Sequence, residues 1–164
     1  MNFMQRRAVF SPDRRYRYLL DRVWDDNFSA RQLTYIMLNP STADENVNDP
    51  TVERCERRAR ALGFGSIEVV NLFAFRATDP GQMKAAEDPI GPENDYHIRD
   101  SVGRADMVIA AWGMHGAYRN RDEDVSLLVK DIEKPLYHLG LTKSNDPKHP
   151  LYVGYDVKPQ EWKQ

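Results

Sequence analysis

Two asparagines and two histidines stand where apolar runs give out. The run 33–38 stops at Asn39-Pro40, and the polar residues Ser41, Thr42, Asp44, Asn46, Asn48 and Asp49 crowd just beyond it. A second run reaches Asn71, with Arg76 shortly after; a third ends at Trp112-Gly113 with His115 next; beyond a fourth comes Lys148-His149-Pro150. An amide carries both donors and an acceptor, so it can read the edge of a nucleobase or orient a water without ionising. Histidine can donate a proton or stabilise a developing oxyanion near neutral pH. Both types suit a site for a planar, polar heterocycle.

Such a site needs elements that bring the four tips together. "AVF", the turn "SPDRR" and "YRYLLDRVW" read as an antiparallel hairpin within 8–30, leading into the strand "LTYIML". "DPTVERCERRARALGFG" has helix punctuation: Asp49 as cap, Pro50 at the first position and Gly63 after the last turn. Then come the strand "SIEVVNLFAF", a proline-broken loop with room for one short helix, and a helix over about 93–103. The strand "ADMVIAAWG", the amphipathic helix "RDEDVSLLVKDIEK" and the strand "PLYHLG" follow. Strands alternating with helices predict a three-layer α/β/α fold, its central sheet mostly parallel with about four strands, in one domain over 1–164 with a core from 31. Ligands of open α/β sheets sit beyond the carboxyl ends of the strands, so Asn39, Asn71, His115 and His149 are expected to share one crevice.

Each residue also has a plainer reading. Asn39 before proline can be a turn former bonded to its own backbone, and His149 a solvated loop group. His115 can cap a helix start, His97 and His138 read as structural or exposed, and Trp112 as core. The arginines 54, 57, 58 and 60 fall largely off the apolar stripe of Val52, Cys55, Ala59 and Leu62, which predicts a solvated face or a weak phosphate-binding ridge.

Composition narrows the classes. Charged residues make up 29% of the 164, yet the formal net charge is −2, so no global positive field draws the chain to nucleic acid. The single cysteine, Cys55, excludes an internal disulfide and a multi-thiolate metal site. No window is apolar enough for a membrane span and the opening residues lack a leader pattern, so a cytoplasmic protein is expected. P-loop and dinucleotide glycine fingerprints are missing, as are the zinc-protease H-E-x-x-H pair and a calcium loop. Neither a metal nor a cofactor is expected.

The order of "LNPSTAD", "NDPT", "VVNLFAFRATDP", "DPIGPEND", "AAWGMHG" and "LGLTKSNDPKHPLY" resembles an uncharacterised, mostly bacterial and phage family, the DUF1643 group. A weaker likeness joins the chain to the uracil-DNA glycosylase superfamily. There, an Asn-Pro after the first core strand orients the attacking water, which "MLNPS" would assign to Asn39. An Asn ending a later strand reads the uracil edge, which "VVNLFAFR" would assign to Asn71, with Arg76 nearby. A His-Pro loop stabilises the departing base, which "KHPLY" would assign to His149. The chain departs from that pattern at Met37-Leu38, where a glycine is usual, and at Leu151, where a DNA-contacting serine would stand; an intercalating residue is also missing.

The expected partner is therefore a nucleobase, a nucleotide or nucleic acid. Base excision is one reading, with Asn39 and His149 catalytic and with Asn71, Arg76, Pro40, Ser41, Thr42, Asp49, Thr51, Trp112, Gly113 and His115 binding the ligand. A second reading is a protein that binds or processes a free nucleotide or nucleoside, its phosphate facing Arg76 and the helix start at Asp49-Pro50-Thr51. A third is an accessory protein whose crevice has become a partner surface, served by Tyr152, Tyr155 and Trp162, whose plainer reading is a cover for the first hairpin.

Overall fold

A computed structural model describes residues 5–164. Its strands are β1 (Gln5–Phe10), β2 (Arg17–Val23), β3 (Gln32–Met37), β4 (Ser66–Asn71), β5 (Met107–Ala110), β6 (Leu136–His138) and β7 (Gln160–Glu161). They form one mixed seven-stranded sheet in the order β1-β2-β4-β3-β5-β6-β7. β3 pairs parallel with both β4 and β5, and β5 pairs parallel with β6. β1, β2 and β7 join antiparallel, as β1 to β2, β2 to β4 and β7 to β6. The described residues also form four α-helices: α1 (Pro50–Ala61), α2 (Pro80–Ala85), α3 (Asn94–Arg104) and α4 (Arg121–Asp131).

Successive strand residues point to opposite sides, and both sides are apolar here. Ile36 on β3 and Val70 on β4 pack with Ile98 and Val102 of α3 and Val125 and Val129 of α4. Their neighbours Leu33, Tyr35, Met37 and Val69 pack instead with Val52, Cys55 and Ala59 of α1. Burying both faces explains why these strands read as unbroken apolar runs.

The caps expected from sequence set the ends of α1. Asp49 accepts a hydrogen bond from the Val52 amide at 2.9 Å, and Pro50 occupies the first turn, where its missing N–H costs nothing. Gly63 follows at φ +88, a conformation that costs a side-chain-bearing residue about 1 kcal/mol or more.

Three features differ from the sequence expectations. The hairpin does not lead directly into β3 as its sheet neighbour, because β4 lies between β2 and β3. β2 runs against β4, so the start of β2 lies beside the finish of β4, and the Arg17 amide donates to Ala74 O at 3.0 Å.

The second difference is β7 and the aromatic after it. Trp162 donates its amide to Leu136 O at 2.7 Å, and its ring packs on Trp112 and His138, with centroids 5.9 and 6.2 Å away. It therefore covers the β6 edge, opposite the hairpin.

The third concerns the arginines of α1, of which Arg57 alone is exposed. Arg54 donates to Pro150 O and Val153 O, while Arg58, 1% exposed, donates to the carbonyls of Val153, Gly154 and Val157. These bonds to the C-terminal loop leave Arg54 and Arg58 neither a solvated face nor a phosphate ridge.

Candidate functional site

A crevice of about 860 Å³ opens at the edge where β3, β4 and β5 finish. Asn39, Pro40, Ser41, Asp49, Thr51, Asn71, Trp112, Gly113, His115 and His149 all line it. Thr42 and Arg76 do not: Thr42 is exposed, and Arg76 turns back to the hairpin. The Arg76 guanidinium donates to Arg14 O at 3.2 Å and lies 4.8 Å from the centre of the Phe10 ring.

Asn39 serves its loop and the crevice with different atoms. Its Nδ2 donates to Ala77 O at 3.0 Å and Pro40 O at 3.2 Å, joining the turn after β3 to the chain after β4. Its Oδ1 has no hydrogen-bond partner among the described residues, which leaves an acceptor at the crevice wall.

Asn71 is 2% exposed. Its Oδ1 faces Nη2 of Arg17 at 3.5 Å, a long contact, and its Nδ2 has no acceptor among the described residues. The strand end is braced from behind. Asn94 donates its amide to the carbonyls of Asn71 and Leu72, and Arg121 donates Nε to Leu72 O at 2.8 Å. These bonds satisfy carbonyls that a sheet neighbour would otherwise take, letting the apolar "LFAF" leave the sheet without a polar turn.

Both histidines are set in one tautomer. The Leu151 amide donates to Nδ1 of His149 at 3.2 Å, so the proton of a neutral ring sits on Nε2. Burial lowers the His149 pKa from 6.5, with Asp49 pulling the other way, which favours the neutral ring at pH 7. Lys84 Nζ lies 3.1 Å from Nδ1 of His115; an ammonium can only donate, so a neutral His115 also carries its proton on Nε2. Each ring thus keeps one N–H donor. His97 instead stacks on Tyr18, at 5.0 Å and 11°, and His138 accepts the Gly140 amide, so both are structural.

Trp112 is 2% exposed and packs in the core, with one edge at the crevice. Gly113, at φ +71, donates its amide to Pro147 O at 2.9 Å and so ties the tip after β5 to the loop that carries His149. Tyr152, 84% exposed, stands at the rim beside His149, ring centroids 6.0 Å apart. Tyr155 lies against Arg54 and Arg58 and so belongs to the packing of α1.

Arg17 was not among the expected site residues. It lines the crevice, is 2% exposed, and makes no salt bridge within the described residues. Nη1 donates to Ala43 O at 3.1 Å, while Nε is buried with no partner. Burial lowers its pKa to about 10, against the favourable charge of Asp49, which still leaves a cation at pH 7. The one signal in the sequence is an arginine placed directly before the apolar stretch Tyr18-Leu19-Leu20 of β2. Seeing that this strand starts at the carboxyl edge of its neighbours required the sheet order.

The sequence pattern of the family described as "Protein of unknown function (DUF1643)" matches residues 17–151, and the chain belongs to that family. Neither the curated proteins nor the solved structures give a significant match. The likeness to uracil-DNA glycosylases therefore has no support from these comparisons.

Proposed function

We propose that the crevice binds a nucleobase-containing ligand, and that base excision is the chemistry its polar groups would perform. The observation that carries the reading is the meeting of Asn39, Asn71 and His149 on one crevice, each with an unspent polar group. Asn71 would donate Nδ2 to a base carbonyl. Asn39 Oδ1 would hold a water below the anomeric carbon. That water adds to the carbon as the carbon–nitrogen bond breaks, and the electron pair leaves on the base, which His149 Nε2–H stabilises by hydrogen bonding. The water's second proton ends on the base or in solvent. On this reading the helices form two outer layers around a parallel core, as in the glycosylase superfamily, and the protein works in a reducing cytoplasm, where the buried thiol of Cys55 stays free.

A second reading, capture of a free nucleotide or nucleoside, is favoured by the net charge of −2 and by the first turn of α1 standing at the crevice with Asp49 and Thr51. One pair of assays separates the two. Oligonucleotides containing uracil, hypoxanthine or a mismatch, incubated with the protein and treated with alkali, break at abasic sites if bases are excised. Intact strands, together with a melting-temperature rise on adding free nucleotides, select the second reading. Silence in both assays rejects the nucleobase site altogether.

A further inference from the structure

Among the described residues the buried arginines Arg22, Arg58 and Arg121 each hold two or more partners, whereas Arg17, which faces the crevice, is the least occupied. Arg22 spends its nitrogens on Asn48 Oδ1 and the carbonyls of Asp21 and Asp44; Arg121 pairs with Asp95; Arg58 holds three carbonyls. Arg17 has one carbonyl at ordinary distance, one long contact to Asn71, and an unpartnered Nε. Burying a cation without a counter-ion is unfavourable unless other groups compensate it. Asp49 is the acid whose charge acts on it most, but that carboxylate caps α1 through the Val52 amide and forms no salt bridge with Arg17. Cys55, also nearby, is held protonated by burial and supplies no charge.

The first turn of α1 meets the same crevice through Thr51, whose amide has no acceptor among the described residues, at the positive dipole end of a twelve-residue helix. Lys148 adds a second cation at the wall. An incoming oxyanion would find a planar guanidinium fork that suits two of its oxygens, beside a helix start. We infer that Arg17 and the first turn of α1 form an oxyanion subsite, so that the ligand of this crevice carries a phosphate or carboxylate group adjacent to the part read by Asn71. The inference deepens the nucleobase reading by adding a charged group to the ligand, and it can fail or stand separately from it.

The test is calorimetric titration and thermal melting of the full chain at constant ionic strength. The probes are inorganic phosphate, malonate, the four common ribonucleosides and their 5′-monophosphates. Phosphate and monophosphates are expected to bind wild type, the monophosphates more tightly than the matching nucleosides; a preference for malonate would identify the anion as a carboxylate. Arg17→Met should abolish the gain from the anion, and Arg17→Lys should weaken it by about tenfold or more, since a lysine lacks the fork. Should Arg17→Met fail to fold, Asn71→Asp serves instead: it sets a carboxylate against Arg17 and should remove the phosphate response from a folded protein.

No response of wild type to any anionic probe overturns the subsite, as does a response that survives in Arg17→Met or Arg17→Lys unchanged. Nucleosides binding as tightly as monophosphates overturn the subsite and leave the nucleobase reading standing. Phosphate binding with no gain from any base does the reverse.

Discussion

Asn39 and Asn71 end apolar runs in the same way, yet the two amides are committed differently. Asn39 gives its donors to two loop carbonyls, so the turn-former reading and the site reading hold together, on different atoms. Asn71 has its acceptor against Arg17 and its donor open, so Asn71→Ala should eliminate ligand-induced stabilisation while lowering stability by only about 1 kcal/mol, measured by chemical denaturation. A loss of 3 kcal/mol or more, roughly what a buried charge network costs when broken, would make Asn71 a structural residue.

The histidines give a pH prediction. Burial lowers the pKa of His97, His138 and His149 below 6.5, so the unfolded chain binds more protons in the window beneath that value. Their contribution to stability is present above pH 6.5 and is lost as pH falls through the folded-state values. Melting temperature should fall on acidification from 6.5, and His149→Gln should flatten that slope. Two arginines mark the limit of sequence at this scale. Arg76 follows Asn71 closely in the chain but is drawn to Phe10 and Arg14, whereas Arg17, 54 residues from Asn71, is its neighbour in space.

At the scale of elements, α1 was legible because its punctuation is local: an acidic cap, a proline in the first turn and a glycine after the last. Its arginine-rich face was not, because the carbonyls that occupy Arg54 and Arg58 lie about a hundred residues away in the C-terminal loop. That loop carries His149, so α1 holds the catalytic candidate in place. Arg58→Ala should cost about 2–4 kcal/mol, since it removes a buried side chain together with its hydrogen bonds to the carbonyls of Val153, Gly154 and Val157. It should also raise amide exchange across 151–157 before exchange in the strands changes. Uniform exchange in strands and loop alike would show that the tether is not local. Asp49→Ala, by contrast, should cost about 1 kcal/mol through the lost cap.

At the scale of the molecule, the alternation of strands and helices fixed the α/β class, and none of the helices among the described residues is long and apolar enough to cross a membrane. The insertion of β4 between β2 and β3 was not legible, since an apolar run states that a strand is buried but not which strand lies beside it. That one feature decides the electrostatics of the crevice, because it carries Arg17 to the strand tips.

A charge buried at Arg17 is screened less than one at the surface. Raising salt from about 50 to 200 mM should weaken nucleotide binding only a few-fold, whereas attraction to exposed Lys143 and Lys148 alone would fade much faster. The most direct measurement is an amide chemical-shift map of the labelled chain titrated with ribonucleoside 5′-monophosphates. Shifts gathered at 39–41, 49–52, 71–72, 113–115 and 148–152 are the predicted result. Shifts scattered over other surfaces, or none with any of the four, would contradict a common nucleobase crevice.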